Sequence, residues 1–233
     1  MDVNFVATRV QWWVQSEISR IESEYEGFPE SAIYVAMIDL VASSDFRATR
    51  GPKKGYIRGR EFFSVVEGVL RDTFGCQLIK ELGDAVMIKA GVLREVLEPI
   101  LLVDLVINGL QSLEKDETYP LSVRAGIGFG ECKRIRTGPP EDYLGSAIDE
   151  LARIMQVRST SSTVLVSQRA YETGGGVISE YGGLSLSDVK EVPAQIAKSS
   201  KTIYYRELIV DRKRLGEERA NFAPWRAKID SPR

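Results

Sequence analysis

The chain has 233 residues, 43% of them hydrophobic and 27% charged, with a formal net charge of −2. That length suffices for one good core, and the slightly acidic balance argues against nucleic acid as the main partner. Histidine is absent, which excludes Ser–His–Asp triads, Cys–His pairs, His-ligated zinc and a histidine general base.

Cys76 and Cys132, the two cysteines, are too few for a zinc cluster and agree with a reducing compartment. The best apolar stretch, Val96–Leu110, is broken by Glu98, Pro99, Asp104 and Asn108, so no membrane span is expected. Met1–Arg20 carries charges throughout and does not read as a signal peptide. The expected location is cytoplasmic.

In chain order, Val3–Glu26 has Val3, Val6, Val10, Trp13, Val14 and Ile18 near one helical stripe, a leading helix packed on the core or on a second subunit. Phe28–Pro29 ends it. The apolar run Ile33–Ile38 closes on Asp39 and reads as a strand. Val41–Phe46 is a small-residue turn whose N–H groups are suited to face an anion. Arg47–Arg60 holds six Arg or Lys residues and is expected to be a loop. Phe62, Phe63, Val66, Val69 and Leu70 predict a helix over Arg60–Phe74.

Gln77–Leu82 and Ala85–Ala90 form a hairpin around Gly83–Asp84. Leu93–Leu113 is a long apolar helix. Leu121–Gly130 alternates as a strand, with glycines suited to close backbone approach. Arg134–Asp142 is a charged Pro/Gly loop. Ser146–Val157 is a helix, with Ser146 and Asp149 at capping-box positions and Asp149 four residues before Arg153. Thr163–Val166 is a strand, Gln168–Thr173 a short helix, and Leu184 and Ile203–Leu208 closing strands.

The order predicts an α/β (α+β) sandwich, one mostly antiparallel sheet with a split βαβ core and helices on its faces. Residues 1–30 are the N-terminal helix, 31–208 the main domain and 209–233 a charged C-terminal tail. Neither a G-x-G-x-x-G nor a Walker A loop follows a strand.

Asp39 and Asp84 each stand where an apolar strand ends. A bare buried carboxylate is prohibitive, so such a group is solvated, hydrogen-bonded or metal-bound. Two that converge form what a divalent-metal phosphate site needs, because hard cations take oxygen ligands. One alone reads as a turn or strand-end residue, and Lys80 alone as a solvated sheet residue.

Four segments carry a resemblance: Ala36–Met37–Ile38–Asp39–Leu40–Val41, Lys80–Glu81–Leu82–Gly83–Asp84–Ala85–Val86–Met87, Val123–Arg124–Ala125–Gly126–Ile127–Gly128, and Asp142–Tyr143–Leu144–Gly145 followed by Ala152–Arg153–Ile154–Met155. In this order they resemble the catalytic domain of the class III nucleotidyl cyclases, over roughly Ile33–Leu208. The resemblance implies two divalent cations (Mn2+ or Mg2+) on Asp39 and Asp84, with Leu40 beside them and Ser43 and Ser44 at the substrate. It implies a homodimer whose second copy lends Lys80 and Asp142 to the base edge and Arg153 to the triphosphate. Lys198 and Lys201 loosely resemble phosphate-facing lysines. The implied reaction is attack of a 3′-hydroxyl on the α-phosphorus, with pyrophosphate leaving.

Asp149 stands where the purine cyclases have a ribose-orienting asparagine, and a carboxylate has no N–H to donate. A lysine donor and a carboxylate acceptor suit adenine and uracil alike, and Arg47, Arg50, Arg58 and Tyr56 are further candidates to contact the base. The changed asparagine position and the short, free-standing architecture are similar to the pyrimidine cyclases of bacterial anti-phage signalling (Pycsar). The implied product is cyclic UMP from UTP. Cyclic AMP, cyclic CMP and a catalytically inactive nucleotide-binding domain are the alternatives, and an RNA-binding split βαβ module is disfavoured.

Overall fold

Strand β1 (Glu30–Leu40) is the centre of the sheet. Its residues Tyr34, Ala36, Ile38 and Leu40 are buried in one apolar cluster, while Val35, with Ile33 and Met37 packed beside it, belongs to a second cluster on the opposite face. Both faces are therefore covered, which is why β1 reads as a nearly continuous apolar run. The computed structural model describes residues 3–27, 30–113, 121–136, 142–157, 163–193 and 202–220. Phe28–Pro29, Lys198 and Lys201 lie outside them, as do residues 221–233.

The sheet runs β2 (Gln77–Leu82), β3 (Ala85–Ala90), β1, β4 (Val123–Arg136), β6 (Val164–Ser167), β9 (Tyr204–Val210) and β7 (Leu184–Leu186). β5 (Asp142–Gly145) pairs with β4 and β8 (Lys190–Glu191) with β9. Only the β4–β6 pairing is parallel among the ladders described. The mostly antiparallel sandwich expected from the sequence is the architecture found.

One face carries α3 (Pro52–Asp72) and α4 (Leu93–Leu113), with Phe62, Val66, Leu97 and Leu101 buried in its cluster. The other face carries α5 (Ser146–Ile154), whose Ala147, Leu151 and Ile154 are fully buried. α5 lies close on β4 because glycines make room for it. A Cβ on Gly128 would meet the Ala147 carbonyl oxygen at 2.7 Å, and one on Gly126 would meet the Met155 sulfur at 2.6 Å.

Three local expectations are corrected. The basic stretch Arg47–Arg60 is helical: α2 (Ser43–Arg50) runs to the break at Gly51, and Pro52 starts α3 at the position where its missing N–H costs nothing. β4 continues to Arg136 because Cys132–Arg136 pairs with β5. α5 has Gly145, not Ser146, at its N-cap, and Ser146 is its first residue, so Ser146 and Asp149 do not form a capping box.

The helix α1 (Val3–Gly27) leaves Val10, Trp12, Trp13, Val14 and Ile18 exposed. Residues 209–220 finish β9 and form α7 (Arg212–Ala220). α7 is fastened to α4: Arg212 Nε donates to the buried Asp104 carboxylate at 2.7 Å, and Leu215 is fully buried in the core. α6 (Gln168–Gly174) caps itself with Ser167, whose hydroxyl accepts from the Ala170 N–H at 3.1 Å. No helix among the described residues is long and apolar enough to cross a membrane.

Candidate active site

Asp39 is the next position after Ile33, Val35 and Met37 on the α5 side of β1, at the end where the apolar cover stops. Across the ladders it pairs with Ala85 of β3 and Arg124 of β4. Asp84 sits in the two-residue loop between Leu82 and Ala85, with Gly83 before it at φ +68°, a conformation that suits glycine. Its carbonyl accepts from the Leu40 N–H at 3.1 Å, which ties the hairpin to the end of β1. Register and this bond bring the two aspartates to one corner of the sheet.

The side chains then define the electrostatics. Arg124 Nε donates to Asp39 Oδ2 at 2.6 Å, a charge-assisted contact. Burial pushes the Asp39 carboxyl above its usual range, Arg124 opposes the rise, and the charge of Asp84 adds to it. Ser43 Oγ donates to Asp84 Oδ2. The Leu40 side chain is in the core, which leaves its backbone facing the corner. Ser44 is exposed in the first turn of α2.

The turn between β1 and α2 is strained. Ala42 has φ 54° and ψ 31°, left-handed and the only such non-glycine among the described residues; this costs an L-residue about 1–2 kcal/mol. Strain of this kind persists where surroundings hold it. Here Arg58 does so. It is 4% exposed, donates through Nη2 to the Val41 carbonyl at 2.8 Å, and lies 4.8 Å from the centre of the Phe46 ring. Burial lowers the Arg58 pKa and the charge of Asp84 opposes that.

Lys80 and Asp142 also meet: Lys80 Nζ is 2.5 Å from Asp142 Oδ1, which accepts from the Tyr143 N–H at 2.9 Å as well. Both are partly exposed, at 26% and 38% of their side chains, so opening the pair costs at most about 1 kcal/mol. Lys80 pairs with Met87, and Met87 with Met37, two residues before Asp39. Two strand spacings and two residue rises therefore separate the Lys80 and Asp39 backbones, about 12 Å. Asp149 is exposed on α5 and Arg153, one turn on, is half-buried.

Sequence reasoning missed Arg124 in this corner, and it named Arg58 for the base, whereas its guanidinium holds the turn after β1. Arg124 lies inside a quoted segment and alternates with Val123 and Ala125, so the period of a strand puts it on the Asp39 side. Arg58 is one turn before Phe62 on the buried stripe Phe62, Val66, Val69 of α3. Of the other candidates for the base, Arg47, Arg50 and Tyr56 are exposed on α2 and α3. A separate cavity of about 420 Å³, lined by Tyr34, Leu93, Phe129, Gly174 and Val177, lies toward the other end of β1. Tyr34 is five residues from Asp39, about 17 Å along the strand.

The donor chemistry fits a divalent ion held in part by its substrate. Asp39 and Asp84 offer carboxylate oxygens, and no group of three or more His, Cys, Asp or Glu among the described residues could hold a metal ion. Mg2+ is usually held by one or two carboxylates plus substrate phosphates rather than by an all-protein cage.

No family profile matches the chain, and no curated protein matches it. Solved structures do match in fold. The adenylyl cyclase CyaB from P. aeruginosa aligns with a TM-score of 0.64 at 15% identity, covering 81% of this chain and 98% of that one. The guanylate cyclase domain of RhGC from Catenaria anguillulae in complex with GTP aligns at 0.59 and 13% identity, covering 78% and 98%. An adenylate cyclase from Trypanosoma brucei in its monomeric state aligns at 0.61 and 18% identity, covering 76% and 87%. The fold is that of the class III nucleotidyl cyclase catalytic domains.

Proposed function

We propose that the protein is a metal-dependent nucleotidyl cyclase that converts UTP to 3′,5′-cyclic UMP and pyrophosphate, a second messenger in bacterial antiviral defence. The observation that carries the reading is the meeting of Asp39 and Asp84 at the β1–hairpin corner. Asp39 and Asp84, with the Leu40 backbone beside them, would hold two divalent ions, Mn2+ or Mg2+. Bound there, such ions lower the pKa of the attacking hydroxyl and neutralise phosphate charge.

The chain's own residues supply position and field. The α2 turn, with Ser43 and Ser44, offers N–H groups to phosphate oxygens. Arg124, beside Asp39, is placed to take a phosphate oxygen. The 3′-hydroxyl gives up its proton to solvent as its oxygen bonds to the α-phosphorus, the bond to the α–β bridging oxygen breaks, and pyrophosphate departs with the displaced electron pair. Such transfer rests on positioning and electrostatics, so the absence of histidine is no obstacle.

We assign the active unit as a homodimer with sites shared between copies. The Lys80–Asp142 pair stands apart from the carboxylate corner of its own chain, and in the dimer one copy's pair reads the base held at the other copy's aspartates, with Arg153 facing the triphosphate. The pair is cheap to open, which lets each member turn to a base. The exposed Val10, Trp13, Val14 and Ile18 of α1 are further surface for the partner.

Uracil presents an acceptor carbonyl to Lys80 and a donor N–H to Asp142. Asp149 supports the pyrimidine assignment through likeness: it replaces the ribose-orienting asparagine of the purine cyclases by a side chain with no N–H, a change similar to that in the pyrimidine cyclases. The test is incubation with each of the four nucleoside triphosphates and Mn2+, with mass spectrometry of the products. Cyclic UMP as the main product supports the assignment, and cyclic AMP alone would overturn the base reading while leaving the cyclase.

A further inference from the structure

Two guanidiniums lie at the corner: one contacts Asp39, and the other holds the turn that follows β1. Asp39 is paired with Arg124. The Arg58 guanidinium holds the Val41 carbonyl, one residue beyond the Leu40 whose N–H bonds the Asp84 carbonyl, and the charge of Asp84 favours its protonated form. Two carboxylates and two guanidiniums sum to no net charge. An arginine stays protonated in proteins even when buried, and on the inward stripe of α3 Arg58 has little freedom to swing away. A divalent cation entering this corner alone gains two attractions and meets two repulsions of the same order. A triphosphate changes the sum, because its oxygens complete the ion's coordination and balance the guanidiniums.

We propose that Arg58 is a built-in counter-cation of this site: it clamps the turn after β1 and, with Arg124, keeps Asp39 and Asp84 from retaining a divalent ion until a nucleotide brings phosphate charge. The inference deepens the cyclase reading and rests on it. Arg58 is a positioning residue. It acts through Val41 and Asp84.

Electron paramagnetic resonance of Mn2+ with the full chain tests this without turnover, in the absence and presence of 3′-deoxy-UTP, which cannot cyclise. The wild type is expected to leave Mn2+ free when alone and to bind it with the nucleotide. Arg58→Gln removes the charge and keeps an amide donor; it should bind Mn2+ alone about tenfold more tightly than the wild type. Arg58→Lys, which keeps the charge, should behave as the wild type.

A folded Arg58→Gln with no gain in nucleotide-free binding overturns the proposal. So does a wild type that binds Mn2+ equally with and without nucleotide, a result that decides the matter even where the variant fails to fold. Wild-type protein that binds Mn2+ in neither condition removes the cyclase reading, and the role of Arg58 with it.

Discussion

Asp39 carries a charge that its surroundings disfavour: burial is the main influence on its carboxyl and raises its pKa despite Arg124. A carboxyl raised in the folded state binds its proton more tightly there than in the unfolded chain. Its contribution to stability is therefore fullest below the unfolded pKa and declines as pH rises through the folded one. Asp39→Asn, neutral throughout, should raise the Tm at pH 7 in metal-free buffer. The gain should close as pH falls into the carboxylate range. The same variant should not be stabilised by Mn2+ and UTP, which should raise the wild-type Tm. A variant less stable than the wild type at pH 7 would mean that the Arg124 pair outweighs burial.

At the scale of elements, α5 is held at a distance set by two glycines of β4. At Gly128 the obstacle to a Cβ is backbone, the Ala147 carbonyl; at Gly126 it is the flexible Met155 side chain. Gly128→Ala should therefore destabilise the protein by about 1–3 kcal/mol and reduce turnover by displacing Arg153. Gly126→Ala should cost less, since a thioether can move. Chemical denaturation of both variants checks the order, and equal costs would contradict this account of the packing.

Most of this layer could be read from the chain. The apolar run of β1, the Gly83–Asp84 hairpin, the bounds of α4 and the glycine alternation of β4 each follow from local period and turn chemistry. The basic stretch Arg47–Arg60 misled because its charge and glycines suggest a loop, whereas α3 takes its helical register from the buried stripe that begins at Arg58. Likewise the partnership of Arg124 with Asp39 depends on the β1–β4 register, which pairs residues 85 positions apart. No local pattern specifies such a pairing. The burial of Leu215 in α7, amid a charged stretch, was equally hidden.

At the scale of the molecule, the proposed homodimer draws each site from both copies, so the two halves carried by one chain would serve different sites. This predicts complementation. Asp39→Ala protein and Arg153→Ala protein, each inactive, should regain up to about a quarter of wild-type turnover when mixed, because random pairing puts half of the chains in mixed dimers and one of the two sites in each is whole. Mass photometry should show dimers at the concentrations where activity returns. No recovery from mixed, dimeric variants would place both residues in one copy's site.

The central claim is that Asp39 and Asp84 act together on a metal-bound nucleotide. The most direct measurement is cyclic nucleotide formation from UTP and Mn2+ by the wild type and by folded Asp39→Asn and Asp84→Asn. Cyclic UMP and pyrophosphate are expected in equal amounts from the wild type, with none above background from either variant. Undiminished product from either variant would contradict the claim.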